Sequence, residues 1–401
     1  MIVSSTGASA PHAYGRLQVS AAVGRRIRRG HPWIWDRAID RVFGQPGQGA
    51  VVEVVAPCGR HKRLHVLGFA FFDPKSALRA RMVGAGSEPS STWAASLALQ
   101  ARQLREVSRT LVGTNAMRLV HGESDRMSGL VIDRYGSASA VKFDGVAAAS
   151  FWRPHLGTIC ETLSATGIRG AMIRGRGTVW GDAAPPDLVI AEDDARFEVD
   201  LEQGQKTGLF LDQRPHRRQL RTLVAGGKRV LNLFSYTGGF SVHAALAGAG
   251  QVVSVDSAQP AITAAERNFI HSGLDLSNHH FVVADVFEFL KKPTHRGKFD
   301  VVICDPPSFA PRHSAVAKAL RAYANLNRLA VGAVRRNGVL MTASCSSHIT
   351  TEQFDEAVAL GLRAARRHAI VIARGGAGAD HPQRPGFPEG SYLKVSTLRV
   401  D

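Results

Sequence analysis

Apolar positions recur along this chain with three successive textures. Between residues 16 and 85 they form short β-prone runs (17–19, 49–55 and 66–72), separated by glycine, proline and clusters of charge. This pattern predicts a small, mostly β module. A Gly-Ser-Pro-rich stretch at 84–92 reads as a linker and is followed by a helical pattern over 93–112. Paired runs at 130–135 and 138–143 look like a hairpin. A second helix is expected near 153–166, with β-prone runs at 171–174, 188–190 and 197–201. From Arg214 onward the texture changes again. Continuous apolar runs at 230–234, 251–255, 280–283, 301–304 and 339–343 suit strands buried on both faces of a parallel sheet, and Ala- and Leu-rich helical stretches such as 241–247 and 260–272 separate them. The expected architecture is therefore α/β, a doubly wound sheet over 204–401 with ligands at its carboxyl edge, preceded by a β module over 14–86 and a central α+β module over 92–203.

The length of 401 residues agrees with two or three domains. No run of 18 apolar residues exists, which argues against a membrane span. Residues 1–11 are small and polar, without the apolar stretch of a signal peptide, so a frayed tail on a cytoplasmic protein is expected. Charge sharpens the picture. The formal net charge is +17, and residues 1–85 hold 13 Lys and Arg against 4 Asp and Glu. A polyanion is the natural partner of such a surface. Arg25, Arg26, Arg28 and Arg29 lie just before Trp33 and Trp35, which puts cations for phosphate beside flat rings for base stacking. The tryptophans fit the core of a small barrel equally well. The four cysteines lack CxxC spacing, so neither a zinc site nor a disulfide framework is expected, and one thiol is left as a candidate nucleophile.

The chemistry is concentrated in the C-terminal half. The run 230–234 leads into Ser235-Tyr236-Thr237-Gly238-Gly239, a strand followed by a glycine turn and a helix, and Asp256 closes the next strand 18 residues after Gly238. A carboxylate there suits the two hydroxyls of a ribose. Neither a G-x-G-x-x-G nor a phosphate-loop pattern is present, so a nucleoside without phosphates, such as S-adenosyl-L-methionine, is the expected cofactor. Asp285 closes the third strand, where an adenine contact and a helix N-cap are both open. Asp305-Pro306-Pro307-Ser308-Phe309 closes the fourth. Its prolines fix a turn that aims Asp305 and nearby carbonyls at a planar amine, with Phe309 a candidate to stack on a flipped base. Cys345, between Ser344 and Ser346, follows the fifth strand. A thiolate there suits attack on C6 of a pyrimidine, which makes C5 nucleophilic toward a sulfonium methyl. Cys304, inside an apolar run, reads as core.

These segments, together with Gln205-Lys206-Thr207-Gly208-Leu209-Phe210-Leu211-Asp212-Gln213-Arg214 and Pro388-Glu389-Gly390-Ser391-Tyr392-Leu393-Lys394, resemble the bacterial 23S rRNA 5-methylcytosine methyltransferases of the large-subunit methyltransferase I family. The resemblance covers nearly all of residues 17–400. It implies a PUA-type RNA-binding domain, a central α+β domain and a Rossmann-like class I methyltransferase domain. It also implies Cys345 as nucleophile, with Asp305 near both the cytosine and the methionine end of the cofactor. Gln213, Asn232, Phe234, Tyr236, Thr237, Gly238, Asp256, Asp285 and Asp305 are then the expected cofactor residues. The four arginines, Pro306 and Phe309 are expected at the RNA, which would be 23S rRNA or a large-subunit precursor. Many RNA 5-methylcytosine enzymes carry a second cysteine where this chain has Ser308, so a single-cysteine mechanism is expected. A guanine-N7 type base methyltransferase and a non-catalytic ribosome-assembly factor are the alternatives. A homodimer is the default assembly.

Overall fold

The computed structural model describes residues 15–58, 63–84, 89–202, 204 and 208–401. The expected tail at 1–11, residues 85–88 of the expected linker and Gln205 to Thr207 of the signature segment lie outside the described residues. The first layer is a six-stranded sheet in the order Trp33–Trp35, Leu78–Gly84, Arg63–Phe72, Val51–Cys58, Gly15–Val19, Ile39–Phe43. Alternate side chains such as Leu17, Val19, Val52, Val54 and Ala70 fill its core. The arginine-rich segment, to which the apolar pattern assigns no element, is a helix, Ala21–Arg28. Ser20 caps it by accepting from Val23 N, and Gly24 lets it approach the sheet closely, since a Cβ there would sit 2.6 Å from that of Ala56.

A second, five-stranded sheet comprises Ala116–His121, Leu130–Tyr135, Ala138–Phe143, Gly170–Ile173 and Gly177–Gly181. The helices Ser91–Glu106, Val146–Trp152 and Leu156–Leu163 contribute to the core that backs it. The helix expected over 153–166 is real only in its middle. Pro154 opens a 3-10 turn at Arg153–His155, and Ser164–Thr166 closes the segment in another before Gly167.

Numbering only the C-terminal layer, β1 is Arg229–Leu233, β2 Gln251–Asp256, β3 His279–Val283, β4 Phe299–Cys304, β5 Val334–Ser344, β6 Ala369–Gly375 and β7 Lys394–Val400. The order is β3-β2-β1-β4-β5-β7-β6. Strands β1 to β5 pair in parallel, while β7 runs antiparallel to both β5 and β6. The helices between them include α1 Arg214–Val224, α2 Gly239–Leu246, α3 Gln259–His271 and, before β5, α4 Val316–Ala333. Two apolar cores, one on each face of this sheet, place the carboxyl ends of β1, β2, β4 and β5 around one cavity.

Candidate active site

The cavity has a volume of about 260 Å³. Its floor is the loop leaving β1, which takes an unusual path. Phe234 and Tyr236 have φ of 57° and 48°, in a region bulky side chains rarely adopt, and Gly238 follows at 78°. Three hydrogen bonds hold this path. Ser235 N donates to Val255 O at 3.0 Å, Tyr236 N to an Asp256 carboxylate oxygen at 2.9 Å, and Asn268 Nδ2 to Thr237 O at 2.8 Å. The other Asp256 oxygen accepts from Ala258 N at 3.0 Å. Asp256 therefore braces the loop while lining the cavity.

Opposite the loop, the turn Leu211–Gln213 brings Gln213 to Asp305, with Nε2 donating to Oδ2 at 2.8 Å. Cys345 completes this wall. It is half-buried, and its Sγ lies 3.9 Å from the Pro306 carbonyl oxygen. The serines on either side anchor it, since Ser344 Oγ donates to Tyr323 Oη at 3.0 Å and Ser346 Oγ to Ala310 O at 3.2 Å. Burial, with Asp305 beside it, pushes the Cys304 thiol far up, so that residue is core as expected.

The structure brings Gln213, Phe234, Tyr236, Thr237, Asp256, Asp305, Pro306 and Cys345 to one cavity, but not every residue singled out in the sequence. Asn232 lies beneath the loop, with Nδ2 donating to Ser241 Oγ at 2.9 Å, and ties β1 to α2. Gly238 forms the N-cap of α2. Asp285, exposed, is an N-cap that accepts from Glu288 N at 3.0 Å, so the helix-cap reading describes its geometry. Phe309 is turned into the wall behind the Asp-Pro-Pro turn, 4.8 Å from the Tyr323 ring. Sequence reasoning missed Asp212 and Arg217. Asp212, inside the signature segment, accepts from Tyr392 Oη at 2.7 Å, and Arg217 lies in the first turn of α1, which follows directly. All four arginines of the N-terminal helix are exposed. The two tryptophans divide: Trp33 donates to Glu123 at 2.9 Å and packs edge-on to Phe387, whereas Trp35 is 42% exposed.

Residues 178–360 match the family model for S-adenosylmethionine-dependent methyltransferases, and residues 17–84 match the PUA-like domain. The chain is 36% identical to a ribosomal RNA large subunit methyltransferase of Deinococcus radiodurans over 100% of both chains. It is likewise 36% identical to ribosomal RNA large subunit methyltransferase I of Escherichia coli strain SMS-3-5, over 96% of this chain and 99% of the relative. The chain belongs to the ribosomal RNA large subunit methyltransferase I family. A solved structure assigned as a methyltransferase and complexed with SAH has a TM-score of 0.82 at 26% identity, covering 96% of this chain and 100% of that one.

The Rossmann-like layer is thus a class I methyltransferase domain, and its cofactor is S-adenosylmethionine. The cavity fits that molecule. Each Asp256 oxygen keeps a lone pair for a hydroxyl beyond its bond to a backbone N–H. Gln213 Oε1 and Ser235 Oγ are buried in the wall and have no hydrogen-bond partner among the described residues, which is compatible with a polar ligand beside them.

Proposed function

We propose that this chain forms 5-methylcytosine in large-subunit rRNA, 23S rRNA or its precursor, through a covalent adduct with Cys345, and that it does so in the cytoplasm. The observation that carries the reading is the placement of Cys345 beside Asp305 and Pro306 at the mouth of the cofactor cavity. Asp256, Tyr236, Thr237 and Gln213 hold the cofactor, supported by Asn232 and Gly238. When bound, S-adenosylmethionine supplies a methyl group on a sulfonium. The remaining work falls to the protein. The Cys345 sulfur uses a lone pair to bond to C6 of the cytosine, and the C5–C6 π pair moves to C5. After C5 is methylated, its proton leaves, the C6–S bond breaks and the thiolate returns. Asp305 and the Pro306 carbonyl face the exocyclic amine of the base. The arginines at 25, 26, 28 and 29 engage phosphates, within a unit spanning 14–86 that precedes a central unit (92–203) and the catalytic unit (204–401). A homodimer is the assembly that goes with this reading.

RNA containing 5-fluorocytosine tests it, because fluorine at C5 blocks the final elimination. A covalent protein–RNA band is expected with the wild type and is expected to vanish in Cys345→Ala, which should also lose methyl transfer. Methyl transfer by Cys345→Ala at near wild-type rate would instead favour a base N-methyltransferase, which needs no adduct.

A further inference from the structure

Lys394 opens β7 directly across from Ser344, in the register that pairs β5 with β7. Its side chain is 5% exposed, and its ammonium donates to Ser346 O at 2.5 Å and to Ile349 O at 2.6 Å. Both acceptors are neutral carbonyls of the turn that follows Cys345. An ammonium has three donors, and among the described residues no carboxylate lies within ion-pair distance of this one. Buried cations are normally paired, because water no longer compensates their charge. The Lys394 ammonium, fixed to the turn that follows Cys345 and carried on a strand paired with Ser344, thus lacks a carboxylate partner among the described residues and sits next to the segment that holds the thiol.

We propose that Lys394 is a positioning residue for Cys345: its ammonium is the counter-ion of the thiolate and fixes the turn that carries the sulfur. Burial lowers the Lys394 pKa to about 8, while a negative Cys345 raises it. The same attraction acts reciprocally to favour the thiolate. Among the described residues, three other charged or titratable groups stand near the sulfur, and none is a cation free to pair with it. Asp305, from the turn after β4, is negative and opposes a thiolate. Tyr323, from α4, is held in its neutral phenol form, chiefly by burial. Arg217 reaches the cavity wall, but Glu192 accepts from it at 2.7 and 2.6 Å. This inference rests on Cys345 being the nucleophile.

Iodoacetamide alkylation of Cys345 against pH reads the pairing directly, because the thiolate is the reacting species. A Cys58→Ser background removes the exposed thiol, leaving half-buried Cys345 with Cys160 and Cys304 buried. In Lys394→Met the alkylation midpoint should rise by about one pH unit, so that the rate at pH 7 falls about tenfold. Affinity for S-adenosylhomocysteine should hold, and methyl transfer should fall at pH 7 and recover toward pH 9. Lys394→Arg, which keeps the charge, should restore the midpoint. Should Lys394→Met fail to fold, Lys394→Gln removes the charge while keeping donors for the two carbonyls. An unchanged midpoint in the folded neutral variant would overturn the proposal. Because alkylation needs no RNA, a shifted midpoint without a 5-fluorocytosine adduct would retain the ion pair and reject only the cytosine reading.

Discussion

At Gly238 two constraints coincide. The backbone sits at φ 78°, and a Cβ would lie 2.9 Å from the Cβ of Ala265 on α3. The glycine thus sets how closely the cofactor loop packs on that helix. Gly238→Ala is expected to cost about 1–3 kcal/mol of stability, and to weaken S-adenosylhomocysteine binding by moving Tyr236 and Asp256 together. Thermal melting alongside isothermal titration checks both, and unchanged affinity would mean the loop adapts without Gly238. At this scale the sequence showed the loop, Asp256, Asp305 and Cys345, because each stands at a strand end where polar residues interrupt an apolar run. It left Asp285 open, since an N-cap and a ligand contact call for the same residue type in the same place. Lys394 was only one letter of a motif. A lysine at the start of a strand ordinarily reads as a solvated end, and its burial follows from β7 running antiparallel beside β5.

Elements were legible according to how they are buried. The four inner parallel strands β1, β2, β4 and β5 announce themselves as continuous apolar runs because both faces are covered. β6 and β7 do not. β7 has buried Ser396 and Thr397 among its apolar positions, and β6 is an edge strand whose Ile370 is 72% exposed. The N-terminal helix escaped notice because Ile27 is the one apolar residue between Gly24 and its C-cap Arg29, too few to signal a period. That helix also has a testable role as an element. Its arginines sit in the last turn and at the C-cap, where cations suit the helix dipole, and all four are exposed, with Arg26 also 2.8 Å from His31 Nε2. Replacing Arg25, Arg26, Arg28 and Arg29 with glutamine should weaken rRNA binding. Its salt dependence should flatten by about 0.7 in log–log slope for each single-strand phosphate no longer neutralised. Cofactor affinity should not move. Filter binding across a salt series measures the slope, and an unaltered slope would assign the RNA footprint to another surface.

Across the whole molecule, buried charge joins the modules. Glu192, from the short hairpin pairing Val189–Glu192 with Ala195–Glu198, accepts from Arg217 and Arg214 of α1. Arg214 also reaches Asp380, whose carbonyl oxygen accepts from Arg105 of the central module. Burial disfavours the charged form of both carboxylates, yet Arg217 for Glu192 and His381 with Arg214 for Asp380 hold them well below their usual range. Their contribution to stability therefore persists until the pH falls far below neutrality. The histidines in the same region respond sooner. Burial lowers His121, His243 and His381 below the ordinary value of 6.5, and the Arg118 guanidinium lies 3.2 Å from His121 Nδ1, as suits a nitrogen without a proton. The unfolded chain thus takes up these protons first, and acidification below 6.5 shifts the balance toward it. The melting temperature should fall between pH 7.5 and about pH 5 by this proton uptake. His121→Asn should reduce the fall, which separates the effect from the general repulsion of a chain with net charge +17. Scanning fluorimetry at constant ionic strength decides it. A pH slope identical in wild type and variant would mean that His121 takes up its proton equally in both states, and His121 would then contribute nothing to the acid sensitivity.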